Sequence, residues 1–254
     1  MSLDALLVSA AAALAAGLIG CFAVMRRMAL AGDALSHVAL PGIGIALALH
    51  LHPLLGAVAM LLFGALLVWA LEDRSRMATE TMIGVVFSSA LAAGSMLTSG
   101  EELVDALFGH AGALSPLETV FGLAMAAAVV VFVVTHKNRL VIALVSPDIA
   151  RAAGIDVKRL NLLFLMMFAM TVALGLRYLG VLLMGSLIII PAATAKHVSR
   201  NLNQMLTVGS VVAVAVTVSG SYVAVWLHRE TGPIIVTLAA AVFFLALLRK
   251  DSRS

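Results

Sequence analysis

Nine apolar stretches, each about the length that crosses a bilayer, follow one another along this chain and dictate what it can fold into. They run near 4–24, 28–49, 53–71, 79–99, 116–135, 160–176, 179–195, 205–227 and 233–248. Inside hydrocarbon, backbone N–H and C=O groups must be satisfied within a helix or around a closed barrel. The apolar–polar alternation of barrel strands is absent and turn signals are sparse, so the stretches predict helices. Of 254 residues, 63% are hydrophobic and 11% charged, and mean hydropathy is +1.12. Soluble domains carry about 25% charged residues, and a water-soluble globule of this size has no way to hide so much apolar surface. The predicted fold class is therefore an all-α polytopic membrane protein, one domain over 1–254, with about nine transmembrane helices. The second stretch carries charge, and the seventh follows the sixth after a very short turn at Arg177 and Tyr178. Eight spans with one re-entrant segment is the alternative.

The basic residues predict orientation. Odd-numbered connections and the C-terminus carry Arg26, Arg27, Arg74, Arg76, Lys137, Arg139, Arg151, Lys158, Arg159, Lys196, Arg200, Arg249, Lys250 and Arg253, whereas even-numbered ones carry only Arg177 and Arg229. Cytoplasmic loops are enriched in Lys and Arg, so the N-terminus is expected outside and the C-terminus inside. The net charge of +3 thus reports topology and not a nucleic-acid surface. No basic leader precedes the first stretch, which predicts a retained helix and not a cleaved signal. A lone Cys21 excludes a disulfide framework and any cysteine-rich metal site.

Two connections are long. On the outer side, Glu101, Glu102 and Asp105 precede Ala106 to Gly109 within 100–115, a candidate short interfacial helix. On the inner side, 136–159 begins with His136-Lys137-Asn138-Arg139 and contains Ser146-Pro147-Asp148. Ser before Pro is a helix start, and Gly154 predicts its end. A short helix over 146–156 lying under the membrane is a docking surface; the alternative is a plain solvated loop.

The chemistry concentrates at the start of the second stretch. Asp33 and His37 stand four apart, so a helix places both on one face. Ionisable groups at membrane depth cost several kcal/mol unless they face water, a partner or an ion. Carboxylate oxygen with imidazole nitrogen suits Zn²⁺, Mn²⁺ or Fe²⁺ and not Cu(I). Pro41 and Gly42, followed by Gly44, predict a break in the helix beyond the pair, as where broken helices line transport sites. The structural alternative is an Asp–His hydrogen bond tying two helices together, with Ser36 assisting. His50 and His52, before Pro53, either catch an incoming cation or are ordinary interfacial residues; His110, His136, His197 and His228 lie near helix ends. The thirteen Met residues are scattered as gap fillers. No G-x-x-x-x-G-K-[ST], H-E-x-x-H or G-x-S-x-G occurs, so the chain carries no Walker-type nucleotide loop, zincin helix or nucleophile elbow.

The run Met25 to Gly42, MRRMALAGDALSHVALPG, closely resembles the signature of the permease subunits of zinc/manganese/iron ABC importers. Glu80 to Ser88 (ETMIGVVFS) resembles the opening of that family's fourth helix, and Asp105 to Gly109 its outer leucine–phenylalanine–glycine stretch. Ser146 to Gly154 resembles its coupling segment, and Leu187 to Ala195 (LIIIPAATA) its late proline-containing helix. One departure is Glu80, where family members often carry Asp.

The resemblance implies a homodimeric, type II-like ABC importer permease in the bacterial cytoplasmic membrane, moving zinc, manganese or iron. It implies no permanently bound cofactor, and ATP bound by a separate cytoplasmic ATPase dimer instead of by this chain, so the chain itself is no enzyme. An extracytoplasmic metal-binding protein would deliver the ion. Asp33 and His37 are the implied metal ligands, with two of each from two copies. Pro147, Asp148, Ala152 and Gly154 are the implied contacts to the ATPase. The rivals are a proton-coupled secondary metal transporter, with Asp33 and His37 as a proton relay, and a membrane scaffold in which the pair is only structural.

Overall fold

The computed structural model describes residues 3–75, 77–97, 115–178 and 181–248. The predicted outer helix around Asp105 to Gly109 lies outside these residues, as do Arg76, His110 and the C-terminal tail. The helices in order are α1 (Leu3–Met25), α2 (Ala31–Ala48), α3 (Pro53–Ser75), α4 (Thr79–Leu97), α5 (Pro116–Val145), α6 (Pro147–Ala152), α7 (Val157–Tyr178), α8 (Val181–Val198), α9 (Leu202–Leu227) and α10 (Thr231–Leu248). Nine long helices and one short one among the described residues answer to the nine apolar stretches and the predicted docking helix. The protein is an all-α polytopic membrane protein.

Seven of the long helices, α1, α2, α3, α5, α7, α9 and α10, are long and apolar enough to cross a bilayer. Among the described residues the apolar part of α8 is Leu183–Val198. α4 opens with Thr79, Glu80 and Thr81 and carries Ser88, Ser89 and Ser95 at exposed positions.

α1 is the central helix, 72% buried across its apolar window against 11% for α10, and it packs on α5, α7, α8 and α9. α2 packs on α3, α4, α7 and α8. Between helices in lipid the hydrophobic drive is small, so small residues and close backbone approach supply the packing. At the α2–α3 crossing, a Cβ at Gly42 would lie 2.8 Å from the Gly56 carbonyl carbon, and one at Gly56 would lie 2.7 Å from the Ala46 Cβ. Only glycine at both positions permits this crossing.

Two expectations are corrected here. α2 runs as one helix across Pro41 and Gly42, where the sequence predicts a break. Pro41 removes one backbone donor, but its ring is buried and packs toward Gly94 of α4, while Gly42 seats against α3. The surroundings hold the backbone in place. Second, the connection predicted over 136–159 is mostly helical. α5 continues ten residues past the predicted end at 135, through His136, Lys137 and Arg139, to Val145. No Gly or Pro interrupts Leu140 to Val145, and long basic side chains reach water from an apolar helix. Lys137 Nζ donates to Asn203 Oδ1 at 2.7 Å.

Candidate metal site and coupling segment

Asp33 lies in the first turn of α2 and is exposed; His37 lies one turn further along the same face and is half-buried. Leu30, preceding the helix, offers no side-chain cap, so the orphan amides and the helix dipole at this end favour an anion. The His37 ring meets Phe87 of α4, centroids 5.6 Å apart and planes tilted by 56°. Because residue 41 is proline, the His37 carbonyl also lacks its usual helical donor. Asp33 is set by α8: a Cβ at Gly185 would stand 2.9 Å from the Asp33 Cβ.

The Asp–His hydrogen bond of the structural alternative does not form. Among the described residues neither side chain has a hydrogen-bond or ion-pair partner, and the Ser36 hydroxyl donates instead to the Gly32 carbonyl at 2.7 Å. No three His, Cys, Asp or Glu side chains converge among the described residues. One chain therefore offers a carboxylate and an imidazole on an open face, half of a four-ligand tetrahedral set. Gly185 and Phe87, which shape this face, carry no chemistry of their own in the sequence. Their only signal is a small residue and an aromatic within apolar runs.

The remaining described histidines stand apart. His50 and His228 adopt left-handed backbone conformations, at φ 55° and 50°, where helices end. His52 sits 4.0 Å from Glu118, whose carboxylate also accepts from the Ser115 amide in a capping box that starts α5. His136 stacks on Phe132.

The segment 146–156 folds as its residues predict. Ser146 accepts from the Ile149 amide, Pro147 takes the first helical position, and α6 closes at Ala152. Gly154 has φ +77°, the Gly154 amide donates to the Arg151 carbonyl, and the Ile155 amide donates to the Ala150 carbonyl. This is the Schellman arrangement that a left-handed glycine closes. Ala150 is fully buried and anchors α6, whereas Pro147, Asp148, Ala152 and Gly154 are exposed and Ile149 is 64% exposed. Asp148 pairs with Arg151 at 2.7 Å across one turn.

The family profile described as the ABC 3 transport family matches residues 1–250. The manganese transport system membrane protein MntC of Listeria monocytogenes is 29% identical over 248 residues, covering 96% of this chain and 89% of that protein. The high-affinity zinc uptake system membrane protein ZnuB of Haemophilus influenzae is 28% identical over 239 residues, covering 92% and 91%. Among solved structures, PsaBC from Streptococcus pneumoniae in complex with Fab superposes with a TM-score of 0.83 at 27% identity, covering 98% of this chain and 92% of that one.

Proposed function

Because the chain belongs to the ABC 3 transport family, we propose that it is the membrane permease of an ATP-driven importer of divalent transition metals, with Asp33 and His37 as its translocation ligands. The observation that carries this reading is the pair itself: two costly polar side chains on one face of α2, with no hydrogen-bond or ion-pair partner among the described residues. Two copies of the chain facing one another supply two carboxylates and two imidazoles, which neutralise and coordinate one divalent cation. Carboxylate and imidazole accept zinc and manganese alike, and relatives named for each metal match at similar identity. Each cation reaches the site from a metal-binding protein outside and leaves toward the cytoplasm.

In this reading, α6 is the coupling helix. Its exposed Ile149, Pro147, Asp148 and Ala152 meet a cytoplasmic ATPase dimer, and Gly154 fixes the angle at which α6 joins α7. The N-terminus lies outside and the C-terminus in the cytoplasm of a bacterial cell, following the charge pattern.

The test is uptake of labelled zinc and manganese by cells carrying the complete importer. Asp33→Asn and His37→Ala should each abolish uptake while the protein still inserts at wild-type level. Near-normal uptake by either variant at matched expression refutes the ligand assignment. Uptake that persists when the ATPase is inactivated but collapses with the proton gradient refutes the ATP-driven reading.

A further inference from the structure

A half-buried cation sits five residues before α2 begins. Arg26 occupies the turn between α1 and α2, with its guanidinium 4.2 Å above the Phe164 ring of α7. Its Nη1 donates to the side-chain carbonyl of Asn161, also on α7. The Asn161 amide donates in turn to Glu72 of α3 at 3.0 Å, and the other Glu72 oxygen accepts from the Thr79 hydroxyl that opens α4 at 2.8 Å. Burial draws the Arg26 pKa down to about 10, with Glu72 opposing that fall. Arg26 therefore stays charged at neutral pH.

This chain of bonds joins four elements through three side-chain contacts. Beside it, Lys158 pairs with Asp73 at 2.7 Å and its carbonyl accepts from Trp69 Nε1 at 3.1 Å, clasping the start of α7 to the end of α3. Arg26, Glu72, Thr79 and Asn161 line a cavity of about 640 Å³ together with Pro147 and Arg151 of α6. The cavity therefore has the proposed coupling helix on one side and the turn leading into Asp33 on the other. From Arg26 the path to the site is short and stiff. Met28 is buried, and Asp33 is already in the first turn of α2 against Gly185.

We propose that Arg26 is a coupling residue: displacement of α6 passes through Gly154 into the start of α7, where Asn161 lies, and the Arg26–Asn161–Glu72–Thr79 chain carries it to the α1–α2 turn that leads into Asp33. The inference rests on the reading of Asp33 and His37 as metal ligands and α6 as the ATPase contact. A planar guanidinium suits the role because it stacks on Phe164 and donates to Asn161 at once. Coupling between sites requires such a contiguous network with a demonstrable energetic effect.

The experiment uses the assembled importer, with its ATPase and metal-binding protein, in liposomes. Two quantities are measured: zinc retained by the complex, and ATP turnover stimulated by the zinc-loaded binding protein. Asn161→Ala and Arg26→Ala should each lower stimulated turnover roughly tenfold, as for mutations within a coupling network, while zinc retention stays within about twofold of wild type. If the two act as one unit, the double variant is no worse than the more severe single one. Should the alanine variants insert poorly, Arg26→Lys, which keeps the charge but not the planar face, is expected to show the same split. Unchanged stimulated turnover, multiplicative losses in the double variant, or equal loss of retention and turnover would each overturn the proposal. A parallel Asp33→Asn sample separates the two readings: if it retains zinc like wild type, the site assignment fails and this inference with it.

Discussion

Gly185 decides how closely α8 can approach the carboxylate at Asp33. With any side chain at this position, a Cβ would press to 2.9 Å from the Asp33 Cβ and 3.2 Å from its Cα, so the start of α2 must move. Gly185→Ala is therefore expected to weaken zinc retention by roughly tenfold, the lower end of what disturbed ligand supports cost. Gly84→Ala on α4 is the control, because a Cβ there meets nothing within 4 Å. Equilibrium binding of labelled zinc to the purified complex checks both; equal affinities would show that Asp33 does not depend on this contact. At this scale the pairing of Asp33 and His37 on one helical face was legible in the sequence, since a carboxylate and an imidazole four residues apart in an apolar run are costly and share a face. The supporting contacts were not legible. Gly185 and Phe87 lie far from Asp33 along the chain, and Ser36 turns to its own helix instead of to the pair. The Arg26 network was hidden for the same reason, because in a basic turn an arginine reads first as a topology signal.

Among the elements, α6 was the most legible, because its start and stop are local chemistry: Ser146 caps, Pro147 opens and Gly154 closes. The left-handed φ of +77° at Gly154 and the open space around it separate backbone strain from steric overlap. Gly154→Val should cost about 1–3 kcal/mol through that strain alone. Gly154→Asn, which tolerates a left-handed backbone, should cost much less. Under the coupling reading, the valine variant retains zinc but loses stimulated ATP turnover, and the asparagine variant keeps both. Equal turnover in all three proteins would show that α6 is only a connection. Elements whose limits depend on neighbours were less legible. α5 outruns its apolar stretch because nothing local stops it, and α2 stays helical at Pro41 because α3 and α4 pack against it. The α2–α3 crossing makes a further prediction. Gly56→Leu should separate the two helices and lower stability by about 1–3 kcal/mol or more, read as an earlier unfolding midpoint in detergent. An unchanged midpoint would contradict the close approach at Gly42.

For the whole molecule, the apolar stretches carried the helical frame, and the alternation of basic and non-basic connections predicts its orientation. Arg26, Lys137 and Lys158 all find partners on neighbouring helices. With Cys21 replaced by alanine, a cysteine at Glu230 should react with a membrane-impermeant thiol reagent on intact spheroplasts, whereas one at Ala153 should react only after the membrane is opened. The reverse pattern would put α6 out of reach of a cytoplasmic ATPase. Under the proposed reading a single chain presents two ligands and a tetrahedral cation takes four, so two copies, as the family resemblance implies, complete the site. The count of bound ions in the purified, assembled importer therefore tests the central claim most directly. One zinc or manganese ion per two copies of this chain, held by two nitrogen and two oxygen donors in X-ray absorption and lost in both Asp33→Asn and His37→Ala, is the predicted result. Undiminished binding in either variant, or one ion in every chain, would contradict it.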